Sequence, residues 1–323
     1  VENDTNTLCF ETISFDLIVN PGPAIVVPTP LSTCDDDTDG FAIFTLTDAN
    51  TEVINGQANV TVAYYETLAD ANSSMNEIFS PYTNIVPNLQ TVFVRLDDAV
   101  NGCFSTTTLD LEVISNPVAN VVTPLEVCDD DNDGFSSFPL SLKDLEVVGA
   151  QVGMVVTYHE TQSDADNGIN VLPIPYNNIV PSVQTVYIRV ESGTTGCYDT
   201  VELTLLVNAL PDTISVTPYE LCDDNNPGDE VELFDLTTKD AEIADGQSVS
   251  VSYYETLADA QGLVNPLASP YSNTSNPQTI FYASESTTTG CIATGSFELE
   301  INPLPLIVLP TALEVCDDGV PDG

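Results

Sequence analysis

The chain has 323 residues, with 50 acidic side chains against 4 basic ones, a formal net charge of −46 at neutral pH. A surface this acidic repels nucleic acid and anionic membranes, which argues against both as partners. Hydrophobic residues make up 42% of the chain, enough to build cores, yet no apolar run approaches the ~20 residues of a membrane span and no signal peptide is visible, so an export signal is expected outside this stretch.

Residues 1–22 read as the end of one folded unit, closing on the proline-bearing joint Asn20-Pro21-Gly22-Pro23. A complete unit follows over 23–116. It opens on the acidic loop Cys34-Asp-Asp-Asp-Thr-Asp-Gly40-Phe41, after which Phe44 and Leu46 mark a short strand. Val60, Val62 and Tyr64 alternate with smaller or polar residues, the period-2 pattern of a strand with one buried face. Thr67 to Asp70 has the form of a capping box, one helical turn. Val92, Val94 and Leu96 alternate again, as do Leu109, Leu111 and Val113 with Asp110 and Glu112 between them. Asn101-Gly102 separates these two runs, and glycine tolerates the positive φ that a hairpin turn needs. Long amphipathic helices are absent. Short strands broken by turn residues predict an all-β unit, a small immunoglobulin-like β-sandwich.

The same unit then recurs. The eight cysteines, Cys9, Cys34, Cys103, Cys128, Cys197, Cys222, Cys291 and Cys316, are spaced alternately by 25 and 69, a repeat of 94 without drift. Tyr64-Tyr65-Glu66-Thr67 returns as Tyr158-His159-Glu160-Thr161 and Tyr253-Tyr254-Glu255-Thr256; Pro81-Tyr82 returns as Pro175-Tyr176 and Pro270-Tyr271. The expected organisation is the end of a preceding repeat over 1–22, repeats over 23–116, 117–210 and 211–304, and the start of a following repeat over 305–323. Asn116-Pro117, Leu210-Pro211 and Asn302-Pro303 stiffen the joints by fixing φ. Stacked end to end, such repeats predict an extended rod.

Regular, even-numbered cysteines point to structural disulfides in an oxidising compartment. Zinc, the competing reading, is rejected, because there is no CxxC pair and only one histidine. Two pairings fit the spacing. One closes within repeats, Cys34–Cys103, Cys128–Cys197 and Cys222–Cys291. The other crosses the joints, Cys9–Cys34, Cys103–Cys128, Cys197–Cys222 and Cys291–Cys316. The crossing scheme requires a fold-back near Ser115-Asn116 that suits a rod poorly, so the within-repeat scheme is expected.

Taken together, the acidic "CDDDxDGF" loop, "YYET" or "YHET", "PYxN", "QTVFVR" and "GCFSTTTLDLEV" resemble repeats of the giant gliding-motility-associated surface adhesins exported by the type 9 secretion system. The resemblance covers nearly the whole chain. It implies an extracellular, outer-membrane-attached location and a role in adhesion or gliding.

The acidic loops are the candidate metal sites. Asp35, Asp37 and Asp39, then Asp129, Asp131 and Asp133, spell DxDxDG; alternate carboxylates on a tight loop converge on a hard cation, and Ca²⁺ suits a crowded all-oxygen shell better than magnesium. The loop is no EF-hand, since Leu46 or Leu140 stands where the twelfth-position glutamate belongs. The third loop, Asp223-Asp224-Asn225-Asn226-Pro227-Gly228-Asp229, is two residues longer and carries Asn225 in place of the third aspartate; Asp229 is its substitute ligand, and weaker binding is expected. Asp317, Asp318 and Asp322 form a fourth loop of this second type. His159 is replaced by Tyr65 and Tyr254 in the other repeats, so it reads as a residue of a surface strand rather than a catalytic base. Tyr82, Tyr176 and Tyr271, each after a proline, are aromatics that either form a contact patch or, as expected, pack against the sandwich edge. No enzyme is expected. The function expected is a structural stalk of a surface adhesin or filament, whose partners are its neighbouring repeats and external surfaces; the alternatives are a polysaccharide-binding array or an accessory region of a secreted hydrolase.

Overall fold

The computed structural model describes residues 2–3, 6–308 and 310–312. The chain divides into two compact units: residues 1–122, 142–172 and 186–203 form the first, and residues 123–141, 173–185 and 204–323 the second.

The first repeat lies wholly in the first unit. Its main sheet runs, in spatial order, Leu31–Asp35, Phe104–Ser115, Leu89–Asp98, Val60–Tyr65 and Glu77–Ile78. The two long strands form an antiparallel hairpin in which Val92 faces Leu109. The opening strand adds to the closing strand in parallel, with Leu31 beside Leu111 and Cys34 beside Ile114. Alternation along the long strands turns Val92, Val94, Leu96, Leu109, Leu111 and Val113 to one face, where they are buried. A second layer covers that face. It consists of Ile43–Phe44 paired with Tyr82–Thr83, and of two helical turns, Leu46–Ala49 and Asn50–Ile54, that bring in Leu46, Ala49 and Val53. Leu46 was expected on a strand. The structure starts a helical turn there, because Leu46, Ala49 and Val53 recur at the helical rather than the strand period and all three are buried.

The third repeat lies wholly in the second unit and repeats this plan with Tyr219–Cys222, Ile292–Asn302, Gln278–Ser286 and Val249–Tyr254. Its core is Phe234, Leu236, Ile243, Tyr253, Ile280, Tyr282, Phe297, Leu299 and Ile301. In the middle repeat, the antiparallel pairing of Met154–His159 with the strand Val183–Ser192 falls in the first unit. The parallel pairing of Leu125–Asp129 with the closing strand Tyr198–Ala209 falls in the second. The three repeats are thus tandem all-β, immunoglobulin-like domains. The expected helical turn after each Glu-Thr pair is present in all three: Thr67, Thr161 and Thr256 accept from the backbone N–H of Asp70, Asp164 and Asp259.

Candidate functional site

The parallel opening strand decides where the cysteines can reach. Cys34 sits beside Ile114, near the end of the closing strand, whereas Cys103 immediately precedes that strand's first residue, Phe104. Eleven strand residues separate the two positions, about 36 Å at ~3.3 Å per residue, while a disulfide needs Cα atoms within ~7 Å. The expected within-repeat pairing is therefore corrected. Cys34 is bonded to Cys197 and Cys128 to Cys291, each across 163 residues and each with Cα atoms 5.6 Å apart. The acidic-loop cysteine of one repeat thus joins the hairpin cysteine of the next. The crossing scheme fails as well, since Cys128 is taken by Cys291 rather than Cys103. Cys103, partly buried, and Cys222, exposed, carry free thiols. Cys316 lies outside the described residues, as does the side chain of Cys9.

The acidic loop leads directly out of the rung. Asp35, the residue after Cys34, is only 4% exposed. Its Oδ2 accepts from the Gly40 N–H at 3.0 Å, while Oδ1 is buried with no hydrogen-bond partner. A charged oxygen left this way costs on the order of 1–3 kcal/mol or more. Gly40 has φ +82°, and a Cβ there would stand 2.8 Å from the Pro87 Cβ, so both the turn and the close approach require glycine. The Asn84 carboxamide braces the loop from the other side: it donates to the Gly40 and Val86 carbonyls and accepts from the Ala42 N–H. In the second repeat Asp129, Gly134 and Asn178 hold the same positions.

Of the carboxylates expected as ligands, Asp129, Asp131 and Asp133 bring oxygens within 4.8 Å of one another. In the first repeat the convergent set is Asp35, Asp36 and Asp37. Asp36 was not anticipated, and Asp39 is not in that set; it accepts from the Phe41 N–H at 2.7 Å, as Asp133 does from the Phe135 N–H. The Asp131 carboxyl is held above its usual value by desolvation and then by the negative charge of Asp133; Asp37 is raised by desolvation too, with Asp39 and Asp36 adding to it.

The third loop is built differently. Asp223 keeps the buried position, with Oδ2 on the Gly228 N–H at 2.6 Å and Oδ1 unpartnered. Two extra residues follow, and Glu230 adopts the left-handed φ of +58° at the place whose carbonyl the Asn273 amide holds. Glu232, 8% exposed, turns its carboxylate back into the loop and accepts from the N–H groups of Asp224 at 3.1 Å and Asn225 at 2.9 Å. Asp229 accepts from the Val231 N–H and the Asn226 amide. Among the described residues, Asp223, Asp224 and Asp229 form no three-carboxylate cluster. Asp317, Asp318 and Asp322 lie outside the described residues.

His159 is fully buried rather than on the surface; its Nδ1 pairs with the Ile169 carbonyl and its Nε2 with the Thr157 hydroxyl. It fills the same place as the buried Tyr65 and Tyr254. The tyrosines after proline pack against the sandwich as expected: Tyr176 is 4% exposed, and the hydroxyls of Tyr82, Tyr176 and Tyr271 accept from the amides of Gln90, Gln184 and Gln278. The architecture is one of tandem repeats joined to one another by cystines.

Among solved structures, a three-domain immunoglobulin fragment of titin, I67–I69, is 9% identical with a TM-score of 0.30, covering 85% of this chain and 96% of that one. Cadherin-like domains 1 to 4 of zebrafish RET are 11% identical with a TM-score of 0.21, covering 86% and 72%. No curated protein matches. The family described as "Flavobacterium inter-domain disulphide bond domain" matches three times, over residues 30–117, 124–211 and 218–305. With each repeat matched, and with cystines joining one repeat to the next, the chain belongs to the Flavobacterium inter-domain disulphide bond domain family.

Proposed function

We propose that this chain is a length of stalk in a surface adhesin, a tether that hands tension from repeat to repeat through its cystines. The cystines and the repeat type fit an extracellular protein, and among the described residues no helix is long and apolar enough to cross a membrane. Outer-membrane attachment, type 9 export, and a role in adhesion or gliding through contacts with external surfaces belong to this reading, which the sequence resemblance supports. Calcium held at the acidic loops belongs to it too.

The observation that carries the reading is the interleaving of the two rungs, Cys34–Cys197 and Cys128–Cys291. Cys103 and Cys222 occupy the equivalent positions and would take neighbouring repeats in the same way. In an array built on that rule, the rung from Cys34 to Cys197 and the chain from Cys197 to Cys222 advance the covalent path by two repeats. Fully extended, the chain from Cys197 to Cys222 spans about 90 Å, close to twice the ~40 Å of the 12-residue closing strand. Tension then bypasses the body of each sandwich, and the array keeps its length even where a sandwich opens. Antibodies against these repeats should label intact cells, and cells whose array is shortened should attach less well. Labelling only after permeabilisation, or unchanged attachment, overturns the reading.

A further inference from the structure

The three acidic loops share one scaffold and differ in what closes it. Each has an aspartate directly after the opening-strand cysteine, buried to at least nine-tenths, with one oxygen on a glycine N–H. Each is braced by a buried asparagine. In the first two loops further carboxylates converge on that aspartate, within 4.8 Å, with no basic side chain among them. The first loop also leaves the buried Asp35 Oδ1 without a donor. In the second loop the equivalent oxygen, Asp129 Oδ1, accepts from the Asp133 N–H at 3.3 Å; in the first that N–H, on Asp39, goes to Asp37, so only there does an unpartnered buried carboxylate oxygen stand within a converging carboxylate set. In the third loop one carboxylate, Glu232, bonds two consecutive backbone N–H groups instead. That ties the extended loop to its own scaffold, and the lone orphan oxygen of Asp223 has no converging set around it among the described residues.

We propose that the loop of the first repeat holds one calcium ion, through Asp35, Asp36 and Asp37, and that Glu232 holds the third loop in the ion's place. Calcium fits because its shell takes 6–8 oxygens in flexible geometry, with carbonyls and waters completing it, whereas magnesium demands a near-ideal octahedron. The rung next to the calcium loop then stiffens with the ion, while the joint after the third repeat does not respond to it.

The inference rests on the calcium part of the reading above. Calorimetric titration of the whole chain with calcium, with magnesium as control, tests it. Asp35→Asn should remove one calcium per chain, and Asp223→Asn none. Because Asp35 is buried, the exposed Asp37→Asn serves as a second variant, weakening that site at least tenfold. Glu232→Ala should lower the melting temperature equally in calcium and in chelator. No calcium binding by the unaltered chain overturns both the ion and this assignment. Loss of a site in Asp223→Asn, unchanged titration in Asp35→Asn and Asp37→Asn, or a Glu232→Ala effect confined to calcium overturns the assignment alone.

Discussion

Pulling the chain by its two ends should reveal the interleaved rungs as two very unequal steps. With both cystines closed and the repeats unfolded, the path runs from the first residue to Cys34, crosses to Cys197, returns along the chain to Cys128, crosses to Cys291 and runs on to the last residue. That path holds about 134 residues and extends to roughly 47 nm at ~3.5 Å each. Two further routes, Cys34 to Cys128 and Cys197 to Cys291, connect the same rungs in parallel and stay slack. Reducing either rung alone removes the shortcut between Cys197 and Cys128 and leaves one loop closed by the other rung. The path then lengthens by only about 25 residues, roughly 9 nm. Reducing the second rung releases the 163 residues of that loop at once, about 57 nm. The order of breakage does not matter. The assay is constant-force extension of a chain whose free thiols have been alkylated, with reductant added after unfolding. Three within-repeat cystines would instead give equal steps of about 69 residues, roughly 24 nm each. Three equal steps would refute the interleaving.

Arg189 stacks on Tyr198 at 3.5 Å from the ring centroid, and it donates to the Ala165 and Asp166 carbonyls and to Glu191. Arg189→Ala should therefore cost about 2 kcal/mol in urea unfolding, and no loss of stability would count against these contacts. Gly134→Ala should destabilise by about 1–3 kcal/mol, since φ is +82° and the new Cβ would stand 2.8 Å from the Pro181 Cβ; an unchanged urea midpoint would refute the strain. The Asp164 carboxyl is held below its usual 3.8 by the Thr161 hydroxyl and then the Asn170 amide. A carboxyl with a lowered folded-state value stabilises the fold above its unfolded value and loses that contribution as pH falls through the lower one. Stability should thus fall with acidification below about pH 4, and Asp164→Ala should flatten that fall in melts taken across the acid range. Asp131 has the opposite sign: its raised value means that protonation favours the fold, so Asp131→Asn should remove a small gain seen on acidification in the absence of metal.

Most of the sheet was legible in the sequence because each long strand has one buried face. Val92, Val94 and Leu96 against Leu109, Leu111 and Val113 declare both the strands and the face they bury. The helical turn at Leu46 was not legible, since a strand of only two residues, Ile43–Phe44, precedes it and leaves too little alternation to end. The cysteine period was plain, but the partners were not. Spacing alone gives intervals of 25 and 69, and the choice depends on the opening strand adding in parallel beside the closing strand, a tertiary register. That register puts Cys34 at the far end of the strand from Cys103 and turns it toward the next repeat's hairpin. Among the loops, the Asp129 set was legible as alternate residues, whereas the exposed Asp36 converges with Asp35 and Asp37 without any spacing rule. Glu232 carries no motif at all. Its part in the third loop shows only when its backbone N–H is seen bonded to Asn273 and its carboxylate turned back on Asp224 and Asn225.

The pairing itself is open to direct measurement, because the four basic residues fall between the cysteines. Alkylated, denatured and digested with trypsin without reduction, the chain is cut after Arg95, Lys143, Arg189 and Lys239. Cys34–Cys197 then links fragment 1–95 to fragment 190–239, and Cys128–Cys291 links 96–143 to 240–323. Mass spectrometry should recover those two linked pairs, each separating on reduction. Recovery of 1–95 linked to 96–143, the product of a Cys34–Cys103 bond, would contradict the joining of repeat to repeat on which the tether rests.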